Sequence, residues 1–404
     1  MKILVINCGS SSLKYQLFEM HHRKVMAKGI VERIGERGSR LVVEIPSVSN
    51  SKIVEEIKNI KQAANLVIRV LTDKEIGSVR SIKEISAVGH RIVHGGSQFS
   101  HPVIVDTAVK RGIELLADLA PLHNVAALEG INAFERVLPE KRQVVAFDTS
   151  FHQTIPKKAY LYSIPYRYYE RYGIRKYGFH GLSHKYVAQR AAELLGRDLI
   201  KLKLITCHLG SGASVTAVDK GKSIDTSMGF TPLEGLTMGT RSGDIDPSII
   251  SFLVEKEAMP LERVKEFLNK ECGVLGVSGI SSDFRDLESL AKKGDSRAIL
   301  ALDVFVYDVK RYISAYIGIL NGIDALVFTA GIGENSSTIR QQICENMTYL
   351  GLEVDAKKNK CTNGNECRIS TSRSKPIFVI PTNEELMIAL ETQEAIRTME
   401  ESFA

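Results

Sequence analysis

The chain has 404 residues, 44% apolar and 25% charged, with a formal net charge of +6, which predicts a globular protein of two ordinary domains with a sizeable core. No dense Lys/Arg run or basic stripe with interleaved aromatics occurs, so nucleic acid is disfavoured as a partner, whereas mild basicity suits a small anionic ligand. No segment approaches the roughly 18 apolar residues that span a bilayer, and Lys2 leads at once into a short strand rather than a signal-peptide pattern, so a soluble cytoplasmic protein with no membrane partner is expected.

In chain order, "ILVI" reads as a buried strand and "LKYQLF" as alternating strand, so the polar stretch "NCGSSSLK" (Asn7 to Lys14) lies in a sharp connection between them. Such a turn exposes backbone N–H groups and hydroxyls, the donors a phosphate needs, with Lys14 adding charge. It lacks the G-x-x-x-x-G-K-[ST] spacing of a Walker loop and runs into a strand where a helix should follow. A plain serine-rich hairpin is the competing reading. "AALEGINAFERVL" (Ala126 to Leu138) has helical spacing, and "VVAFD" (Val144 to Asp148) is a strand ending in an acid. "HKYVAQRAAELLG" (His184 to Gly196) reads as a helix with Ser183 as N-cap and Gly196 as terminator.

"LITCHLGSGASVTAVDKGK" (Leu204 to Lys222) then repeats the opening pattern of apolar strand, small polar turn and alternating strand, about 200 residues on. Setting Gly9-Ser10 on Gly210-Ser211 brings Asn7 onto His208. The repeat suggests a duplicated fold whose halves each offer a phosphate-facing hairpin, with a cleft between them. "DALVFTAGIGENS" (Asp324 to Ser336) reads as strand, Gly-x-Gly turn and a helix from about Ser337. "KKNKCTNGNECR" (Lys357 to Arg368) reads as a polar surface excursion without chemistry. The strand–helix alternation makes the class α/β, with a domain boundary expected near Thr149 to Pro156. The six cysteines (Cys8, Cys207, Cys272, Cys344, Cys361, Cys367) show no CxxC pair or metal-ligand spacing, and reduced thiols are expected.

Polar clusters stand at strand ends, where open α/β sheets bind ligands. "VGHRIVHGG" carries Arg91, "PLHN" His123, "FDTSFHQT" Asp148 and His152, "YGFHGLSH" His180 and His184, and "GTRSGDIDP" Arg241 with Asp244 and Asp246. Each taken singly has a bland alternative, a surface salt bridge or a packed histidine. Together they are rich in cations, and an arginine fork suits carboxylate and phosphoryl oxygens. "PTNEEL" sets Glu384 and Glu385 in the first turn of a helix. They either complement the helix dipole or hold Mg²⁺, which prefers one or two carboxylates with phosphate oxygens and water. The combination points to a Mg²⁺-dependent phosphotransferase.

The motifs "GSSSLKYQL", "VGHRIVHGG", "FDTSFHQTIP", "RKYGFHG", "DTSMGFTPLEGLTMGTRSGDIDP", "FTAGIGENS" and "PTNEEL" resemble those of the acetate kinases along essentially the whole chain. The resemblance implies the superfamily of acetate and sugar kinases, heat-shock ATPases and actin: two duplicated ribonuclease H-like (actin-like ATPase) α/β domains with an interdomain active-site cleft. It implies a homodimer, with an N-terminal domain over 1–150 joined by the C-terminal helix 385–404, and a nucleotide-binding, dimer-forming domain over 151–384. By the same resemblance Asn7 and Glu384 are Mg²⁺-site residues, with Mn²⁺ able to substitute, and Ser12 and Lys14 form the first phosphate loop. Arg91 and Arg241 bind the acetate carboxylate and the transferring phosphoryl, His180 stabilises the transition state and Asp148 is the catalytic acid. Val93, Leu122, His123, Phe179 and Pro232 surround the substrate. The ATP/ADP site draws on His208, Leu209, Gly210, Ser211 and Gly212, on Asp283, Phe284 and Arg285, and on Gly331, Ile332, Gly333, Glu334 and Asn335.

Two positions depart from the family pattern, Ser211 where Asn is usual and Leu182 where Thr is usual, and the shorter Ser211 loses an amide toward the nucleotide. Acetate is ionised at pH 7, so no general base is required. The expected role of Asp148 is to orient Arg91 or the metal's water. The reaction so implied is ATP + acetate ⇌ acetyl phosphate + ADP by direct in-line transfer, with propionate or butyrate as the alternative acceptor. Val93 favours the smaller acid. A binding module of the actin type would need length this chain lacks, and two arginines favour an anionic acceptor over a sugar.

Overall fold

The structure is a computed structural model that describes residues 1–45, 48–117, 120–360 and 364–403, with the side chains of 48–52, 121, 122 and 403 excepted. Cys361 and the Leu122 side chain, both singled out above, lie outside the described residues. Two compact units are present, Met1–Phe151 with Asn383–Ala404, and His152–Thr382.

In the first unit the strands are β1 (Lys2–Cys8), β2 (Ser12–Glu19), β3 (Lys24–Glu32), β4 (Arg40–Ile45), β5 (Val48–Val54), β6 (Ala87–Ile92), β7 (Val103–Ile104) and β8 (Arg142–Phe147). They form one sheet in the order β5-β4-β3-β2-β1-β6-β8-β7. The hairpin β1–β2 is antiparallel with Asn7 opposite Lys14, while β1, β6 and β8 run parallel. The parallel strands are covered on both faces and are near-continuously apolar, as in Val144–Phe147. Helices Ile60–Leu71 and Pro121–Val137 cover one face, and Glu384–Phe403 packs on β1, β6 and β8. Gly89 allows that last approach, because a Cβ there would sit 2.3 Å from Thr392 Oγ1.

The second unit contains β9 (Lys203–Leu209), β10 (Ala213–Asp219), β11 (Lys222–Thr226), β12 (Ala325–Thr329), β13 (Cys367–Arg368) and β14 (Ile377–Val379), in the order β11-β10-β9-β12-β14-β13. Here β9 pairs antiparallel with β10 and parallel with β12, which pairs parallel with β14. The run β3-β2-β1-β6-β8 of one sheet and β11-β10-β9-β12-β14 of the other therefore share order and direction. The duplicated ribonuclease H-like plan is present in each unit. Helices Ser296–Leu320 and Gly181–Leu195 pack on β9.

Three local expectations are corrected. Ala330–Asn335 is a short helix rather than a Gly-x-Gly turn. The Glu334 carboxylate accepts the Ala330 N–H at 2.8 Å and the Thr382 N–H at 3.0 Å, so a side chain closes the turn that the glycines alone would leave open. Ser183 is not the N-cap: the helix starts at Gly181, and His180 precedes it in a left-handed conformation with φ 56°. Gly196 does terminate it, in the same conformation. Within 357–368, Ala356–Lys360 is helical and Asn359 is buried, held by Arg340, so that stretch is not wholly a surface excursion. The five described cysteines are free.

Candidate active site

In the first unit, Arg91 stands at the end of β6 and Asp148 immediately follows β8, two neighbouring parallel strands registered Ile92 to Phe147. The Asp148 N–H donates to the Ile92 carbonyl at 2.9 Å, which fixes the two side chains side by side. Arg91 Nε donates to Asp148 Oδ1 at 3.1 Å and Arg91 Nη2 donates to Oδ2, a two-pronged ion pair. The carboxylate is 2% exposed and the guanidinium 21%, so the aspartate is the buried anchor and the arginine the presented group. Glu384, half-buried, lies 3.8 Å from Arg91 Nε. Burial pulls the Arg91 guanidinium down, but the charges of Asp148, Glu384 and Glu385 outweigh it and hold it above its ordinary range. Burial and the like charge of Glu385 push the Glu384 carboxyl up, against the pull of Arg91 and Lys14.

Glu384 opens its helix because Asn383 accepts the Leu386 N–H at 3.0 Å as an N-cap. Asn7 sits opposite Lys14 across the hairpin, and the turn closes through the Gly9 N–H to the Ser12 carbonyl at 2.8 Å. Lys14 is exposed between buried Leu13 and Tyr15, so it points away from the core. Val93 is half-buried just beyond β6, and His123 is exposed near the start of its helix.

In the second unit a Cβ built on Gly212 would lie 3.4 Å from Arg241 Nη1 and 3.5 Å from His180 Nε2. A glycine there lets both groups converge on the turn between β9 and β10. Arg241 Nη1 donates to the Pro232 carbonyl at 3.2 Å, and burial lowers the guanidinium from its ordinary range. Among the described residues no carboxylate pairs with it. A half-buried guanidinium without a counter-charge is suited to an incoming anion. His208 and His180 stack, with ring centroids 4.1 Å apart. Phe179 is buried directly before His180.

Other candidates serve the local fold. His152 bridges Ser223 Oγ and the Phe179 carbonyl, each at 2.9 Å. Asp244 accepts from the Gly235 N–H and the Tyr312 hydroxyl, and Asp246 accepts the Ser248 N–H at the start of a helix.

A cavity of about 730 Å³ in the same unit brings together the three segments expected at the nucleotide. Gly210 and Ser211 come from the β9–β10 turn, Asp283 to Arg285 from a helix start, and Gly331, Ile332 and Asn335 from the helix after β12. His208, Leu209, Gly212, Gly333 and Glu334 are outside its lining. Gly333 instead packs over β12, where a Cβ would be 3.4 Å from the Phe328 carbonyl carbon, and Glu334 clamps the turn described above. Ser282, Glu288 and Ser336 line the cavity without having been singled out. Ser336 donates to Glu288 at 2.6 Å. A helical turn added to Phe284 would have pointed to Glu288.

Among the described residues no cluster of three or more His, Cys, Asp or Glu forms a metal cage, and no helix is long and apolar enough to cross a membrane. Residues 2–390 match the acetokinase family. The chain is 56% identical, over 98% of its length and 99% of the relative's, to the acetate kinase of Carboxydothermus hydrogenoformans. Among solved structures it is similar to the Porphyromonas gingivalis acetate kinase, with TM-score 0.94 and 46% identity over 98% of this chain and 99% of that one. A propionate kinase from Francisella tularensis matches with TM-score 0.89 and 43% identity over 97% and 99%. With near-complete coverage of both chains and identities far above 30%, the chain belongs to the acetokinase family.

Proposed function

We propose that this phosphotransferase catalyses ATP + acetate ⇌ acetyl phosphate + ADP, by direct in-line transfer of the phosphoryl group. The observation that carries the reading is Arg241, half-buried without a carboxylate partner among the described residues and converging with His180 Nε2 on Gly212. The acceptor is ionised at neutral pH, so the chain's task is to hold anions against their repulsion and stabilise charge on the transferring group. Arg241 and His180 serve the phosphoryl oxygens, and Arg91 serves the carboxylate. Asp148 acts as a positioning residue, since its carboxylate is already committed to the Arg91 fork. The Gly210–Gly212 turn, Asp283–Arg285 and Gly331–Asn335 hold ATP or ADP, and Ser12 with Lys14 offers further phosphate donors. Val93, Leu122, His123, Phe179 and Pro232 bound the acyl group.

The donor set in the first unit fits Mg²⁺, with Mn²⁺ as substitute. Glu384 is a carboxylate whose ionised form is disfavoured by burial and by Glu385. One carboxylate with the amide of Asn7 is the sparse protein contribution a phosphate-bound Mg²⁺ accepts. When bound, the ion would neutralise charge on the phosphate oxygens.

The same reading has the protein act in the cytoplasm as a homodimer, a state supported by exposed apolar side chains such as Phe252 and Tyr307, 58% and 70% accessible. The similarity to a propionate kinase supports overlap on propionate, since one methylene is worth about 1–3 kcal/mol. Acyl phosphate formation, trapped as the hydroxamate with ATP, Mg²⁺ and acetate, propionate, butyrate or glycerol, tests the reading. Highest kcat/KM on acetate is expected. Activity confined to a longer acid would overturn the acceptor, and no acyl phosphate from any acid would overturn the reaction. Sedimentation at a monomer mass would overturn the dimer.

A further inference from the structure

Behind His180 a file of buried polar side chains runs through the second unit. His180 Nδ1 is 2.9 Å from Ser214 Oγ, Ser214 Oγ is 2.7 Å from His184 Nε2, and His184 Nδ1 is 2.7 Å from Thr206 Oγ1. Thr206, His184 and Ser214 are wholly buried. Burial, with His152 and His208 adding to it, holds His184 well below the ordinary imidazole range, so it is neutral, with one N–H and one lone pair.

The direction of the file follows from its far end. The Thr206 hydroxyl has no other hydrogen-bond partner among the described residues, and a buried hydroxyl proton left unpaired is costly. Thr206 therefore donates to His184 Nδ1, His184 Nε2–H donates to Ser214, and the Ser214 proton goes to His180 Nδ1. A second serine is arranged alike. Ser183 accepts from the Thr382 hydroxyl at 2.8 Å and has its proton for His208 Nδ1 at 2.7 Å.

We infer that Ser214 and Ser183 are positioning residues that set the tautomers of His180 and His208, keeping the proton of each ring on Nε2. For His180 that is the nitrogen beside Arg241 and Gly212. In the opposite tautomer a neutral His180 would turn a lone pair toward the anion that Arg241 is held to meet. The catalytic part of this inference rests on the proposed role of His180 at the transferring phosphoryl; the tautomer assignment does not.

The test is long-range ¹H–¹⁵N correlation on the full chain with ¹⁵N-labelled histidine, the His180 signals being assigned with His180→Gln. A lone-pair shift at Nδ1 and an N–H shift at Nε2 are expected. Protonated Nδ1 on a neutral His180 would overturn the inference without any variant having to fold. Ser214→Ala is expected to mix the two tautomers and lower kcat about 10- to 100-fold, less than the about 10²–10³ for losing a preorganised donor outright. KM for ATP and acetate should stay within about 3-fold, because binding groups are untouched. Ser214→Thr, which keeps the hydroxyl, should restore the tautomer and most of the rate. Unchanged kcat in Ser214→Ala alongside a kcat loss in His180→Ala would overturn the positioning role. Unchanged kcat in His180→Ala itself would instead remove the reading of His180, leaving the tautomer assignment standing.

Discussion

Asp148 separates two mechanisms. A catalytic acid must touch the reacting atoms, whereas the observed carboxylate receives both prongs of Arg91 and is 2% exposed. Asp148→Asn keeps the shape and one acceptor oxygen but turns an amide toward Arg91 Nη2, donor against donor. One charge-assisted hydrogen bond is lost, worth about 1.5–3 kcal/mol. With Arg91 21% exposed, water recovers part of that, leaving about 2 kcal/mol, or roughly a 30-fold loss if the whole of it is felt in the transition state. Glu384, 3.8 Å from Arg91 Nε, then draws the guanidinium away, so about 30- to 100-fold in kcat is expected. Arg91→Ala, removing the presented group itself, is expected to cost on the order of 10³-fold. If Asp148 acts only through Arg91, the double variant is no worse than Arg91→Ala. Independent roles would multiply to roughly 10⁵-fold. Hydroxamate trapping at saturating acetate reads all four proteins of the cycle, and a multiplicative double variant, or full turnover in Asp148→Asn, would refute the positioning role.

Arg241→Ala should lower kcat on the order of 10³-fold, as for an arginine that meets a transferring phosphoryl; a near-normal initial rate would remove it from the mechanism. Ser211→Asn, which returns the amide usual in the family, should lower KM for ATP by about 3- to 10-fold, the worth of one added hydrogen bond, and an unchanged KM would show that the cavity does not use that side chain. Arg340 is wholly buried and donates to the Gly333 and Glu334 carbonyls and to Asn359, with burial pulling it down to about 10. Arg340→Met strands those acceptors, so a loss of about 3 kcal/mol in urea unfolding with a raised KM for ATP is expected; wild-type stability would contradict it. His90 and His152 are buried, and burial lowers each to about 4. The unfolded chain binds protons more readily between the ordinary value near 6.5 and 4, so this stability is full above 6.5 and is lost as pH falls through that window. The slope is about 1.4 kcal/mol per pH unit for each histidine. His90→Gln should flatten the dependence of the urea midpoint between pH 6.5 and 4.5, and an unaltered slope would mean that His90 is not a source of it.

Local pattern carried much of this protein. The apolar runs at Leu4–Ile6 and Leu204–Cys207 read as buried strands and the small residues after each as turns, and both hairpins and their repetition are present in the fold. Helical spacing and Gly196 marked one helix end correctly, because a left-handed terminator is a property of the residue itself. The family, and with it the reaction class, followed from short motifs along the whole chain.

What the sequence could not decide was which polar side chains spend themselves on each other. Glu334 was grouped with the nucleotide segments, and its carboxylate also caps its own helix at the Ala330 N–H and reaches the Thr382 N–H, a partner 48 positions away that only the packed chain supplies. Ser183 carried the mark of a cap, yet the left-handed His180 starts the helix earlier and frees the serine for His208. Asp148 was expected to orient either Arg91 or a metal-bound water, and it is the parallel pairing of β6 with β8 that sets it against Arg91. Helix and strand periods report which face is buried and are written in neighbouring residues. A hydrogen-bond partner 30 or 60 positions away is chosen by strand register, and only the tertiary structure determines that.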